Sequence, residues 1–375
     1  MKKILYLTHV SWAIIKQRPQ FIAEELSKYC QVDVYYKRTY KTPKKDLKTK
    51  LETNECMSLR SYQILPFDKI HFFDHISVDW INRIWMKMQM PDFGDYDYVW
   101  ISSPYTFRFI KNIVNDRTKL IYDCMDDHLA FPDAPLVSRR HMLEDEKTIL
   151  EKAYKVFCTS NYLKDTILER AGIQREVIIS HNGIKIPPQI DVTSIPEDIS
   201  KIITLIKSKP LSLLYIGAIS EWFDFGLILK ALDEDEDMNV FLVGPVKTEI
   251  PKHKRLHVLG TVERTYIFEL MKVSSALTMP FVVNDLIKSV NPVKLYEYIY
   301  SGKPVISVRY AETEYFKEFV HLYNGLDEFQ DVIRTLRRGD DKAFDSTERN
   351  IKIRKFIESN TWEYRTKDIS ELLEL

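Results

Sequence analysis

Short apolar, β-rich runs alternate along this chain with amphipathic helical stretches, and that rhythm constrains its fold most, because it is the pattern of parallel α/β sheets. In the first half, strands are expected at 3–8, 31–36, 98–102, 119–124, 155–159 and 177–180, with helices near 18–30, 104–115, 138–153 and 161–171. The alternation breaks after His181-Asn182-Gly183-Ile184, where Pro187, Pro188 and Pro196 mark a linker, and a second series begins near residue 211. At 375 residues the chain is long for one core, so two Rossmann-like domains are expected, with ligands outside the carboxyl ends of their strands. No internal repeat or low-complexity tract suggests a solenoid.

Composition narrows the class. Hydrophobic residues make up 45%, ample for two cores, and the cysteines, Cys30, Cys56, Cys124 and Cys158, lack metal-ligand spacing, which favours buried thiols in a reducing compartment. Met1 leads directly into strand-like Ile4-Leu5-Tyr6-Leu7 and no apolar run reaches about 18 residues, so neither signal peptide nor spanning helix is expected and the placement is cytoplasmic. Charge balances overall but not locally: residues 1–187 carry 29 Lys and Arg against 24 Asp and Glu, the rest 25 against 30. The excess concentrates in 37–50, which could hold the protein peripherally on the anionic inner face of the plasma membrane or be a solvated loop. Phe72-Phe73-Asp74-His75 and Trp80–Met88 could bury an apolar face in lipid or against an acceptor tail, or be an ordinary half-buried helix. A pI near 7.1 with a single basic cluster argues against nucleic acid. Only ten glycines, and a first strand–helix turn of Thr8-His9-Val10-Ser11-Trp12 without G-x-G-x-x-G, argue against a dinucleotide dehydrogenase.

Two segments carry chemistry. Asn291-Pro292-Val293-Lys294-Leu295-Tyr296-Glu297 reads as a helix start with Asn291 as cap and Pro292 at the first position, and Gly302 suits its end. Lys294 and Glu297 share a face near the electropositive helix start, which fits either an anion site with a hydroxyl-binding carboxylate or a solvated ion pair. In Tyr122-Asp123-Cys124-Met125-Asp126-Asp127-His128, a strand runs into two carboxylates and an imidazole. Crowding raises one carboxyl pKa toward the range of a general base; turn and cap chemistry before Pro132-Asp133-Ala134-Pro135 is the alternative.

The 291–306 segment resembles the donor-nucleotide signature of GT-B glycosyltransferases. Leu211–Ala218, Val240–Pro245, Leu256–Thr261 and Ser275–Phe281 precede it in the order expected of a nucleotide-sugar-binding domain. The resemblance implies GT-B architecture, with an acceptor domain over 1–187, a donor domain over 188–359, and 360–375 crossing back onto the first. It implies a metal-free, cofactor-free glycosyltransferase moving sugar from a nucleoside-diphosphate sugar, UDP among the candidates, to a glycan or lipid-linked acceptor in capsule or cell-envelope polysaccharide synthesis. Donor contacts would come from Gly217, Glu221, Thr261, Met279, Val293, Lys294 and Glu297. Thr8–Trp12 and Lys16–Phe21 resemble the opening of capsule and teichuronic-acid glycosyltransferases, which puts Trp12 and Arg18 at the acceptor; a structural arginine fits Arg18 equally. Asp126 or Asp127, with His128, would be catalytic.

Stereochemistry follows from a departure. Many retaining members carry a glutamate eight residues before the ribose-binding one, where this chain has Ser289, and Gly217–Asp224 lacks their phosphate-binding cation. The pattern is closer to xanthan-type glucuronosyltransferases, so inversion with an Asp base is expected. A retaining transferase, a nucleotide-sugar 2-epimerase and a non-catalytic glycan-binding partner are the rival readings.

Overall fold

Seven parallel strands form the first sheet of the computed structural model, which describes residues 1–12, 16–38, 54–65, 76–115, 117–131, 136–188, 190–191, 195–338 and 347–375. The basic stretch beyond Arg38 and Phe72–His75 lie outside the described residues. In chain order the elements are β1 (Lys3–Thr8), α1 (Arg18–Leu26), β2 (Gln31–Lys37), β3 (Met57–Tyr62), α2 (Ile76–Gln89), β4 (Tyr98–Ile101), α3 (Pro104–Ile110), β5 (Leu120–Cys124), α4 (Leu136–Lys152), β6 (Lys155–Cys158), α5 (Asn161–Ala171) and β7 (Ile178–Ile179). Their sheet order is β3-β2-β1-β4-β5-β6-β7.

The side-chain period of two splits the core into two layers. Leu5 and Leu7 pack with Val99 and Ile101 on one face, while Ile4 and Tyr6 pack with Val32, Val34 and Trp100 on the other. β3 is absent from the sequence-based assignment because it is an edge strand whose Arg60 and Ser61 are exposed, leaving no apolar run to recognise.

The second sheet belongs to Gly183–Thr361, and the first to Met1–Asn182 together with Trp362–Leu375. Its elements are α6 (Glu197–Lys207), β8 (Leu211–Ile216), α7 (Phe225–Glu234), β9 (Met238–Val243), β10 (Leu256–Gly260), α8 (Arg264–Val273), β11 (Ala276–Met279), α9 (Asp285–Ser289), α10 (Val293–Tyr300), β12 (Val305–Val308), β13 (His321–Tyr323), α11 (Gly325–Arg338) and α12 (Thr347–Glu358). The strands are again parallel, in the order β10-β9-β8-β11-β12-β13.

The division between the units falls at Asn182–Gly183 rather than 187/188. The cause is local: the Ile184 N–H donates to the Asn360 carbonyl at 2.9 Å and Ile184 bridges Thr361, so the segment before the prolines is already tied to the second unit. The last helix, α13 (Trp362–Leu372), rejoins the first unit, where Trp362 stacks on Phe21 with ring centroids 5.1 Å apart. Strand order reverses between β1 and β4 in one sheet and between β8 and β11 in the other, and ligands of open α/β sheets gather at such points.

Candidate functional site

At the β8/β11 reversal a lysine lies flat against a glycine. Gly217 follows β8 with φ +150, and a Cβ there would fall 2.1 Å from Cε of Lys294. Gly244, after β9, is equally constrained, since its Cβ would meet the Gly217 carbonyl oxygen at 2.1 Å. Only glycine permits this stacking of backbone on backbone and side chain. The Lys294 ammonium lies 5.8 Å from the Tyr215 ring centre and 5.6 Å from that of Phe281, and donates no hydrogen bond to any described residue. Burial lowers its pKa and Glu297 opposes that fall. A cation held over two aromatic faces beside bare backbone, one residue inside the start of a helix, is suited to an anion.

The start of α10 differs from expectation by one residue. Pro292 is the N-cap and Val293 opens the helix, so the buried Asn291 does not cap; its Oδ1 accepts from the Tyr296 hydroxyl at 3.2 Å. With no side-chain cap, and with the Leu295 N–H donating to the Pro292 carbonyl at 3.1 Å, the N–H groups of Val293 and Lys294 at the start of α10 are left for another partner. Gly302 has φ +74 just beyond the helix, in keeping with its expected terminating role.

Glu297, one turn on from Lys294 and only 6% exposed, is ion-paired with Arg264, the first residue of α8. Arg264 is not among the site residues expected from the sequence. A cation opening a helix opposes the macrodipole, and that oddity was the available signal. Thr261 is exposed just after β10, and Glu221 is exposed after β8. Met279 ends β11 fully buried in the core, so its side chain is not a ligand contact and only its backbone could be. Ser289 is buried and donates to the Leu286 carbonyl at 2.7 Å, a local helix bond with no carboxylate function.

At the β1/β4 reversal of the first unit the titratable groups are of the opposite kind. Asp126, just past β5, keeps partial solvent access, and no described residue donates a hydrogen bond to its carboxylate. Burial pushes its pKa up to about 7; Arg18 pulls down, and Asp127 and Asp123 push further up. His9, past β1, and His128 meet edge to face with ring centres 5.1 Å apart. His128 Nε2 is 3.0 Å from the Ser102 carbonyl, and His9 Nδ1 is 3.3 Å from the Ser102 hydroxyl. Burial holds both imidazoles below the ordinary histidine range, so at neutral pH His128 carries its proton on Nε2, toward the carbonyl.

Three expected site residues are committed elsewhere. Arg18 is buried in a bidentate pair with Asp123, at 2.8 to 3.0 Å, and also donates to the Ser180 hydroxyl and His181 carbonyl at 3.2 Å, so it is structural rather than an acceptor contact. Asp127 accepts from Arg170 at 2.6 Å and from the Leu129 N–H at 3.0 Å, and the same arginine binds Glu146 at 2.7 and 2.9 Å. That pairing makes Asp127 a structural anchor and leaves Asp126 as the one of the two with no hydrogen-bond donor among the described residues. Trp12 is buried in the core against Phe21, Val34 and its other neighbours, not open to a ligand.

No family model matches the chain. A curated relative from Bacillus subtilis (strain 168), provisionally described as the teichuronic acid biosynthesis glycosyltransferase TuaH, is 23% identical over 255 residues. The match spans 62% of this chain and 62% of the relative, less than two thirds of its length. Among solved structures, Anabaena HepE (Alr3699) in complex with UDP covers 100% of both chains at 15% identity and a TM-score of 0.69. The fold is GT-B. HepE has also been solved with UDP-glucose. A trehalose-6-phosphate synthase studied for glycosyl transfer with retention is similar at a TM-score of 0.65 and 11% identity, over 100% of this chain and 99% of that one.

Proposed function

We propose that the chain is a glycosyltransferase that moves a sugar from a nucleoside-diphosphate sugar to a glycan or lipid-linked acceptor in bacterial cell-surface polysaccharide synthesis. The observation that carries this reading is the Lys294 ammonium, desolvated over Tyr215 and Phe281 and without a hydrogen-bond acceptor among the described residues, beside the uncapped start of α10. A diphosphate supplies the missing acceptors. The UDP bound by HepE supports a uridine donor, and the description of the Bacillus relative supports a cell-surface acceptor.

In the proposed reaction Asp126 takes the proton of the acceptor hydroxyl as its oxygen bonds to the anomeric carbon. The bond from that carbon to the phosphate oxygen breaks, its electron pair leaves with the nucleoside diphosphate, and Lys294 with the α10 N–H groups stabilises the departing charge. No metal is invoked. Glu297 holds ribose hydroxyls, with Arg264 ion-paired to its carboxylate. One displacement inverts the anomeric centre, and Ser289 offers no second carboxylate on the donor side. Retention is the second reading, favoured by the trehalose-6-phosphate synthase similarity.

The test has two arms. Titration calorimetry with UDP should show binding that Glu297→Ala weakens by about 1.5–3 kcal/mol, the range for hydrogen bonds to a charged group; unchanged affinity in a folded variant removes Glu297 from the site. Proton NMR of the product anomer then decides between inversion and retention.

A further inference from the structure

Among its described side chains, α2 turns polar groups inward: Asn82 is buried and accepts from the Leu65 N–H at 2.9 Å, and Asp79 pairs with Arg108 at 2.6 Å. Met86 is buried in the core and Trp85 is half-buried. Its outward residues are Trp80, Ile81, Ile84 and Met88, exposed by 60%, 44%, 44% and 74%. Trp80, Ile84 and Met88 recur every fourth residue, so they form one row, with Ile81 beside it and exposed Lys87 along its edge. Helices normally turn such a stripe inward.

Charge indicates what covers the row. Strand β2 hands on to Arg38, whose N–H donates to the Tyr62 carbonyl at 2.8 Å. The next residue, Gln63, exchanges two hydrogen bonds of 2.9 Å with Gln89, the last residue of α2. Arg38, just past β2, therefore lies near the C-terminal end of this helix, which also carries the exposed Lys87. An indole and three aliphatic side chains on one exposed face, with Lys87 along its edge and Arg38 near the helix end, match the interface of an anionic bilayer. There the indole sits at headgroup depth, the aliphatic groups reach the acyl boundary, and lysines meet lipid phosphates.

We propose that the outward face of α2 is a docking surface for an anionic membrane. The proposal is independent of the donor-site reading. The full chain should co-sediment with phosphatidylcholine vesicles containing roughly 30% phosphatidylglycerol and bind phosphatidylcholine alone far less. Brominated acyl chains should quench part of its tryptophan emission, and Trp80→Phe should abolish that component. W80S/I84S/M88S should cut the bound fraction about ten-fold or more, with UDP affinity and thermal melting unchanged because these side chains are exposed. Met88→Ser alone, at the most exposed position, should give a partial loss should the triple variant fold poorly. Vesicle binding that survives the triple substitution overturns the proposal, as does native protein that binds no vesicle. Native chains that self-associate through this face, becoming monomeric in the triple variant without any vesicle binding, would assign it to a second copy instead.

Discussion

The reversal points of the two sheets share a topology and differ in how charge is neutralised. Around β1 and β4 the buried cations are spent on carboxylates: Arg18 neutralises Asp123, and Arg170 neutralises Asp127 and Glu146, leaving Asp126 as the carboxylate with no donor among the described residues. Around β8 and β11 the balance is opposite. Glu297 is matched by Arg264, and Lys294 is the cation left without an acceptor. A spare carboxylate with a raised pKa suits proton removal; a spare desolvated ammonium suits an anion. Similar sheet topologies thus differ in which charge the surrounding pairs leave uncompensated.

The comparison can be broken at either end. Asp126→Asn keeps shape but cannot accept a proton, so turnover should fall by about 10²–10⁴ with UDP affinity intact; a variant with native turnover would strip Asp126 of its role. Arg18→Ala should leave Asp123 buried and unpaired at a cost of about 3–5 kcal/mol in urea unfolding, well beyond anything expected of an acceptor-contact residue. Gly217→Ala strains a positive-φ backbone and displaces Lys294, so it should destabilise by about 1–3 kcal/mol and weaken UDP binding together. Lys294→Ala should lower kcat more than it raises KM, since leaving-group charge grows toward the transition state; an effect confined to KM would place Lys294 in ground-state binding.

The Asp126 carboxylate can also be tested through pH. The folded-state pKa of Asp126 is about 7, above the unfolded aspartate value near 3.9. Between those values the folded chain binds more protons than the unfolded one, so this group makes stability fall as pH rises from about 4 to 7. Asp126→Asn should remove that slope, and native kcat/KM should rise with pH through about 7 as the base ionises.

What was legible in the sequence was local. The central strands and their helices follow from runs of buried residues, and the Lys294/Glu297 helix from spacing within one turn plus a terminating glycine. Pairings distant in sequence were hidden. Arg18 meets Asp123 across 105 positions, Arg170 meets Asp127 across 43 and Arg264 meets Glu297 across 33, and nothing in local composition says which charges will be consumed. Asp126 and Asp127 are neighbours with identical side chains, and an arginine 43 positions from Asp127 is what makes their surroundings differ.

One consequence concerns the order of synthesis. The Leu373 carbonyl receives hydrogen bonds from the Lys2 ammonium at 2.9 Å and the Tyr98 hydroxyl at 2.8 Å, and Trp362 closes over Phe21. In synthesis, Lys2 and Tyr98 thus wait for a partner 371 and 275 positions later. The intervening unit, Gly183–Thr361, has its whole sequence available while the earlier sheet still lacks a helix on one face. A chain arrested before Trp362 therefore leaves Phe21 and its apolar neighbours uncovered, where the folded protein has Trp362, Ile369 and Leu373 in the same cluster.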